Sequence, residues 1–303
     1  MSLRVGVQLP EVERPVPWPE MVAMARAAEN AGFDSIWLGD HLLYDLPDGS
    51  RGPWEVWTAL AGLASVTERV ELGPFVASTS FHAPAMLAKS AATVDAISGG
   101  RLILGLGAGW NQREYTAYGF PYDKRVARFE EAFTIIRELV RTGRSDFHGV
   151  YYDVADCVLD PKPLRPGGPP LMLGSVSPRM MRIGLPHVDA WNVWWSDYRN
   201  DVDGFAAVRA RVEDALVEAG RAPGEVEATA AVFVHLPGGA GRLAGETNED
   251  PTIRPVLVSD LAEHLRAMAG AGAAHLQLVL DPITVESIDA VGEIVRDLRE
   301  VRT

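Results

Sequence analysis

Eight short runs of apolar and β-branched residues recur along the chain, each followed by a longer stretch of helical period, and this alternation leaves few folds open. Strands separated by helices return in the same sense, so they build a parallel sheet. The runs at 3–9, 35–40, 70–77, 101–107, 170–174, 188–194, 227–236 and 275–280 predict strands. Helices are expected at 18–31, 54–66, 84–97, 124–142, 178–184, 201–219, 259–270 and 285–300. The stretches "ENAGFDSIW", "DALVEAGRAPGEV" and "RAMAGAGAAHLQLVL" each place glycine between a helix and the next strand, where a left-handed cap is needed. Eight such units predict an α/β fold, a closed (β/α)8 TIM barrel. At 303 residues the chain is about twice the usual domain length but ordinary for one barrel, so a single domain over 1–303 is expected. Two insertions, 143–169 after strand four and 237–256 after strand seven, exceed the usual loop length and are expected to be lids or mobile excursions.

Composition narrows the partners. A hydrophobic fraction of 47% supplies a large core, and a formal charge of -13 without any Lys/Arg run excludes a nucleic-acid footprint. The lone Cys157 forms no intramolecular disulfide, and His41, His82, His148 and His187 lack ligand spacing, so no metal is expected. The start "MSLRVGVQLP" enters a strand without a signal-peptide pattern, and no apolar run reaches the roughly 20 residues that span a bilayer. The expectation is a cytoplasmic protein without a membrane partner.

Parallel barrels carry their chemistry at the C-terminal strand ends. Here that rim collects Gln8, Asp40 and His41, the 74–80 segment, Gly107 to Trp110, Gly174 to Ser177, and Trp191 to Trp195. The Asp40-His41 pair reads either as an imidazole titrating near neutrality whose surroundings Asp40 sets, or as a helix-capping Asp beside a surface His. In "LGLGAGWNQREYTAYG" the glycines 105, 107 and 109 lack the last glycine of a dinucleotide fingerprint, Trp110 standing in its place. They allow close approach to a flat ring, or simply tight packing. In "GSVSPRMMRIG" the residues Gly174, Ser175, Val176 and Ser177 precede Pro178 at a helix start, with Arg179 and Arg182 following: an anion site, or an ordinary Ser cap. One helix terminus contributes about 0.3–1 kcal/mol, whereas micromolar binding needs about 8 kcal/mol, so a phosphate held there must belong to a larger ligand. The aromatics of "WNVWWSDY", with Trp54, Trp57, Phe75, Phe81 and Trp110, read as core singly and together as a wall for that ligand.

The stretches "AENAGFDSIWLGDH", "LAGLASVTERVELGPFVAST", "PAMLAKSAATVDAISGGRLILGLGAGWNQREYTAYGFP", "RFEEAFTIIRELV" and "HGVYYDVADCVLDPKPLRPGGPPLMLG" resemble the bacterial luciferase-like flavin enzyme superfamily, closely over 1–195 and loosely beyond. The Asp40-His41 pair is similar to that of the branch using the deazaflavin coenzyme F420. This resemblance implies a ring system at the barrel mouth, a phosphate at the fifth strand end, and a non-proline cis peptide near Phe75-Val76. It also implies an oxidoreductase moving hydride between the cofactor and a small, largely apolar substrate. His41 and Asp40 would be catalytic. Gln8, Asp40, Phe75, Val76, Gly107, Ala108, Gly109, Gly174, Ser175, Val176, Ser177 and Arg182 would bind cofactor, and Trp54, Trp110, Asn192 and Trp194 substrate. Trp110 stands where sugar-phosphate dehydrogenases of this branch carry a glutamate, which disfavours a sugar phosphate. The alternatives are a flavin mononucleotide (FMN) monooxygenase and a non-catalytic flavin-binding protein on the same fold. A homodimer is implied by the superfamily alone.

Overall fold

The structure, a computed structural model, describes residues 3–240 and 253–300. The barrel strands are β1 (Arg4–Gln8), β2 (Ser35–Leu38), β3 in two pieces (Glu71–Pro74 and Ala77–Ser78), β4 (Leu104–Gly107), β5 (Leu171–Leu173), β6 (Ala190–Val193), β7 (Glu227–His235) and β8 (His275–Asp281). All neighbours run parallel, in the order β3, β2, β1, β8, β7, β6, β5, β4. The ring then closes, because β4 pairs with the second piece of β3 and a parallel bridge joins Leu72 to Leu102. The run at 70–77, expected as one strand, is split at Phe75-Val76, whose peptide is cis.

Around the sheet lie α1 (Trp18–Ala31), α2 (Val56–Ala64), α3 (Pro84–Ile97), α4 (Gln112–Tyr118), α5 (Arg125–Thr142), α6 (Pro178–Gly184), α7 (Val202–Glu218), α8 (Leu261–Gly270) and α9 (Val285–Glu300). Each buries one stripe: in α1 it is Met21, Met24, Ala25, Ala28 and Ala31, the 3.6-residue period of a helix lying on a sheet. Among the described residues, the short α4, a two-residue strand Val256–Leu257 beside β7, and two antiparallel hairpins, Tyr44–Leu46 with Gly49–Arg51 and Arg144–His148 with Asp153–Val158, go beyond the sequence expectation. The second hairpin takes up 144–158 of the insertion 143–169, which is expected as a lid or mobile excursion. It is docked on α5, where the Glu131 carboxylate accepts from the backbone N–H groups of Val150, Tyr151 and Tyr152 at 2.8–3.0 Å. Of the insertion at 237–256, residues 241–252 lie outside the described residues. Among the described residues no helix is long and apolar enough to cross a membrane, and no cluster of His, Cys, Asp and Glu is placed to hold a metal ion.

Inside the barrel an aromatic column climbs toward the C-terminal rim, from His275 to Trp37 (centroids 5.8 Å), Phe75 (5.4 Å) and Trp194 (5.8 Å). At its base the Trp37 Nε1–H donates to Ser35 Oγ at 2.7 Å, so the Ser35 hydroxyl proton is free to donate to His275 Nε2, also at 2.7 Å. That nitrogen is then an acceptor and the ring neutral. Burial, with the Arg4 charge adding to it, holds His275 well below the ordinary imidazole value. A depressed imidazole binds fewer protons folded than unfolded, so its cost appears as pH falls below about 6.5. We expect thermal stability to fall between about pH 6.5 and 5 and His275→Gln to flatten that slope; melting curves across the range check it, and an unchanged slope would refute it.

Candidate active site

A cavity of about 670 Å³ opens at the C-terminal rim. Of the residues expected there, it is lined by Asp40, His41, Phe75, Val76, Gly107, Ala108, Gly109, Trp110, Gly174, Ser175, Ser177, Asn192 and Trp194. The chain direction of eight parallel strands brings them to one end. Four expected residues lie elsewhere. Gln8 is buried below the cavity, its amide donating to Glu11. Trp54 remains 47% exposed at the foot of α2, its indole N–H on the Val16 carbonyl at 3.0 Å and its ring edge-on to Trp18. Val176, partly buried, packs against the core, and Arg182, one turn into α6, is exposed.

Asp40 is not a helix cap, because the chain beyond it runs into the 44–51 hairpin. Its buried carboxylate accepts from the Ser78 backbone N–H at 2.8 Å and sits 3.3 Å from His82 Nε2, tying the end of β2 to that of β3. It contributes charge near His41 but makes no hydrogen bond to it among those of the described residues. The bond is made instead by Glu114, on the first turn of α4, whose two oxygens lie 3.1 and 3.2 Å from His41 Nδ1. Tyr44 and Trp110 flank the imidazole, at centroid distances of 4.8 and 5.6 Å. A second carboxylate, Glu11, accepts from the Tyr44 hydroxyl at 3.0 Å and also lines the cavity. Burial alone pushes His41 toward neutrality, but the Glu114 hydrogen bond and the charges of Glu11, Glu114 and Asp40 outweigh it and raise the ring above the ordinary imidazole value.

The cavity floor is Val76. Its methyl groups occupy the room left by three glycines: a Cβ on Gly105 or Gly107 would come within 2.8 Å of them, and one on Gly174 within 2.4 Å. Packing of one side chain between β3, β4 and β5 thus explains most of the glycine run. Gly109 has a second reason: its φ is +72°, and a Cβ there would strike Tyr115 Oη at 2.0 Å and Ser78 Oγ at 2.3 Å. Tyr115 in turn donates to the Ala108 carbonyl at 2.9 Å, fixing the loop over the rim. On the far side Asn192 is held inside the barrel, its amide donating to Thr229 Oγ1 and Gln277 Oε1 at 2.8 Å each.

At the end formed by β5, Ser175 Oγ accepts from the Ser177 N–H at 3.3 Å, and no side chain caps α6. Ser175 Oγ also donates to Ser177 Oγ, a bond of 3.3 Å that an accepting ligand can replace, and the Ser177 hydroxyl proton and the first-turn N–H groups remain available as donors. The guanidinium lining the cavity is Arg125, which donates to the Gly109 carbonyl and lies 4.3 Å over the Tyr122 ring. Arg179 pairs instead with Glu130 at the surface (3.2 Å).

Sequence reading missed Glu11, Tyr44, Glu114 and Arg125. For Glu114 a signal existed: "NQRE", Asn111 to Glu114, has the spacing of a capping box that opens a helix. Asn111 does cap α4, its side chain accepting from the Arg113 N–H at 3.2 Å, but Glu114 turns across to His41 rather than back to the cap.

Comparison with known proteins agrees with this architecture. The model of the luciferase-like monooxygenase family matches residues 3–238. Over 152 residues, 48% of this chain and 45% of the other, the chain is 35% identical to the F420-dependent glucose-6-phosphate dehydrogenase of Amycolatopsis mediterranei. Over 172 residues, 55% of this chain and 50% of the other, it is 35% identical to the pyrimidine monooxygenase RutA of Cronobacter sakazakii. The matches thus span about half the length of these curated relatives. An F420-dependent secondary alcohol dehydrogenase, solved with an F420-acetone adduct, superposes with a TM-score of 0.82 at 19% identity, covering 99% of this chain and 100% of that one. The monooxygenase RslO1 from Streptomyces bottropensis gives 0.79 at 19% identity, covering 99% of each. At these identities the structural likeness speaks for the barrel alone. With the family match covering seven of the eight barrel strands, β1 to β7, the chain belongs to the luciferase-like monooxygenase family.

Proposed function

We propose that the protein is a deazaflavin-dependent oxidoreductase acting on a small, largely apolar substrate. One observation carries the reading: an imidazole held by a buried carboxylate faces the same cavity as an unshielded set of hydroxyl and backbone donors, with an aromatic and aliphatic bed between them. The donor set suits a cofactor with a flat ring and a phosphorylated arm. Val76, Phe75 and Trp194 offer apolar surface for the ring, Ser175 and Ser177 donate to an anion, and a volume of about 670 Å³ accommodates a ligand of that size. Such a cofactor, when bound, supplies two-electron chemistry.

The chain's own residues do the rest. His41 Nε2 holds or receives the proton that accompanies reaction at a substrate oxygen. Tyr44 and Trp110, which flank the imidazole, limit the water that reaches that position. Asp40, by holding the Ser78 N–H, keeps the bed from shifting as ligand enters. Trp110, which the resemblance sets at the glutamate position of the sugar-phosphate dehydrogenases, favours an apolar substrate over a sugar phosphate.

The match to pyrimidine monooxygenase RutA supports a second reading, an FMN-dependent monooxygenase. Anaerobic titration with reduced deazaflavin and, separately, reduced FMN discriminates. We expect spectral saturation with the deazaflavin and substrate reduction without oxygen; tight FMN binding with no response to the deazaflavin would overturn the proposal.

A further inference from the structure

We infer that Glu114 is the positioning residue of this site, keeping a proton on His41 Nδ1 and presenting Nε2 to the cavity. The functional meaning rests on the oxidoreductase reading; the geometric part does not. The 39–43 segment leaves β2 without strand partners, yet its backbone groups must be satisfied. Asn111, Glu114 and Tyr118 are spaced to share one face at the head and body of α4, and they supply the partners. Glu114 Oε1 accepts from the N–H groups of Leu42 and Leu43, Asn111 Nδ2 donates to the Leu43 carbonyl at 3.0 Å, and the Tyr118 hydroxyl donates to the Leu42 carbonyl at 3.3 Å. Both N–H and both C=O groups of Leu42 and Leu43 are thereby bonded to α4 and its cap. Arg113 extends the seam, its Nε 2.9 Å from Asp45 Oδ2.

The carboxylate position is therefore set by backbone bonds before the imidazole is considered. An ionised carboxylate only accepts, so the nitrogen facing it carries a proton in the neutral ring as well as in the cation. Nε2 then accepts when the ring is neutral and donates when it is charged, always on the cavity side. The other groups facing the ring are Glu11, from the segment after β1, Asp40, at the end of β2, the Tyr44 ring, whose hydroxyl rests on Glu11, and the Trp110 ring. Among the described residues, Glu114 is the carboxylate hydrogen-bonded to the ring.

Nitrogen-15 NMR of histidine-labelled, cofactor-free protein tests this, with His41→Ala identifying the signal among the seven histidines. In the wild type we expect a neutral His41 ring protonated at Nδ1 and a midpoint above the ordinary imidazole value. Glu114→Gln, which keeps the shape and one accepting oxygen, is expected to lower the midpoint by about one pH unit or more. It should also lower kcat about tenfold while cofactor affinity holds. A wild-type ring protonated at Nε2, or an unchanged midpoint in the variant, would overturn the inference. Should Glu114→Gln fail to fold, the wild-type tautomer decides alone. Because the spectra need no turnover, the expected spectra from a protein inactive with either cofactor would refute the oxidoreductase reading and leave the positioning role standing. An unchanged midpoint in an active enzyme would do the reverse.

Discussion

Replacement of His41 by alanine is expected to lower kcat by about 10²- to 10⁴-fold, the range for loss of a positioned acid or base, while cofactor affinity stays within about tenfold, or about 1.4 kcal/mol. The split follows from the geometry. His41 stands at the Tyr44 and Trp110 side of the cavity, and the anion donors Ser175 and Ser177 stand at the end of β5. The ring's removal therefore leaves the proposed phosphate grip intact. Glu114 keeps its two backbone donors, so the fold should survive. The pH dependence of stability should change with a definite sign. A raised imidazole value means that the charge's stabilising contribution is complete below about pH 6.5 and is lost as pH rises through the raised value. His41→Ala should lack that alkaline loss. Spectral titration, steady-state rates and melting curves on both proteins check these outcomes; a variant with undiminished kcat would remove His41 from the chemistry.

Gly174→Ala is the second large expectation, and it acts through Val76. The added Cβ would lie 2.4 and 2.7 Å from the two Val76 methyl groups, so the valine must move, and its free side is the cavity. Overpacking of this kind costs about 1–3 kcal/mol of stability. Since Val76 is the proposed bed of the ring, cofactor affinity should also fall about tenfold or more, an equivalent of about 1.4 kcal/mol. Gly270→Ala, where a Cβ meets nothing within 4 Å, is the control. Denaturant melts and titration of all three proteins decide the matter. If Gly174→Ala bound cofactor as tightly as the wild type, Val76 would not be the surface on which the ring rests.

Much of the scaffold is legible residue by residue. The helix expected at 18–31 is Trp18–Ala31, that at 84–97 is Pro84–Ile97, and that at 178–184 is Pro178–Gly184, because a stripe of buried residues and a proline near the first turn are local properties. Where the structure places an expected residue away from the cavity, the reason is also physical. Arg182 is expected at the phosphate because it follows Ser177 closely in the sequence. One helical turn carries it away from the N-terminus, and the guanidinium in the cavity comes from Arg125, far along the chain. Trp54 was grouped with the cavity aromatics by residue type, which carries no direction; its indole is bonded to Val16 instead. In sequence the glycines allow either approach to a ring or tight packing, and in the fold their room is largely taken by Val76.

By itself the sequence determined the barrel and the end that carries the site, because alternating strand and helix periods force parallel strands and chain direction then fixes their C-terminal rim. The tertiary structure decided which carboxylate meets His41, which cation enters the cavity and which side chain forms its floor. Those contacts join positions as far apart as 41 and 114, separated by 73 residues. Local periodicity encodes how each element folds, and only closure of the ring sets which loops face one another.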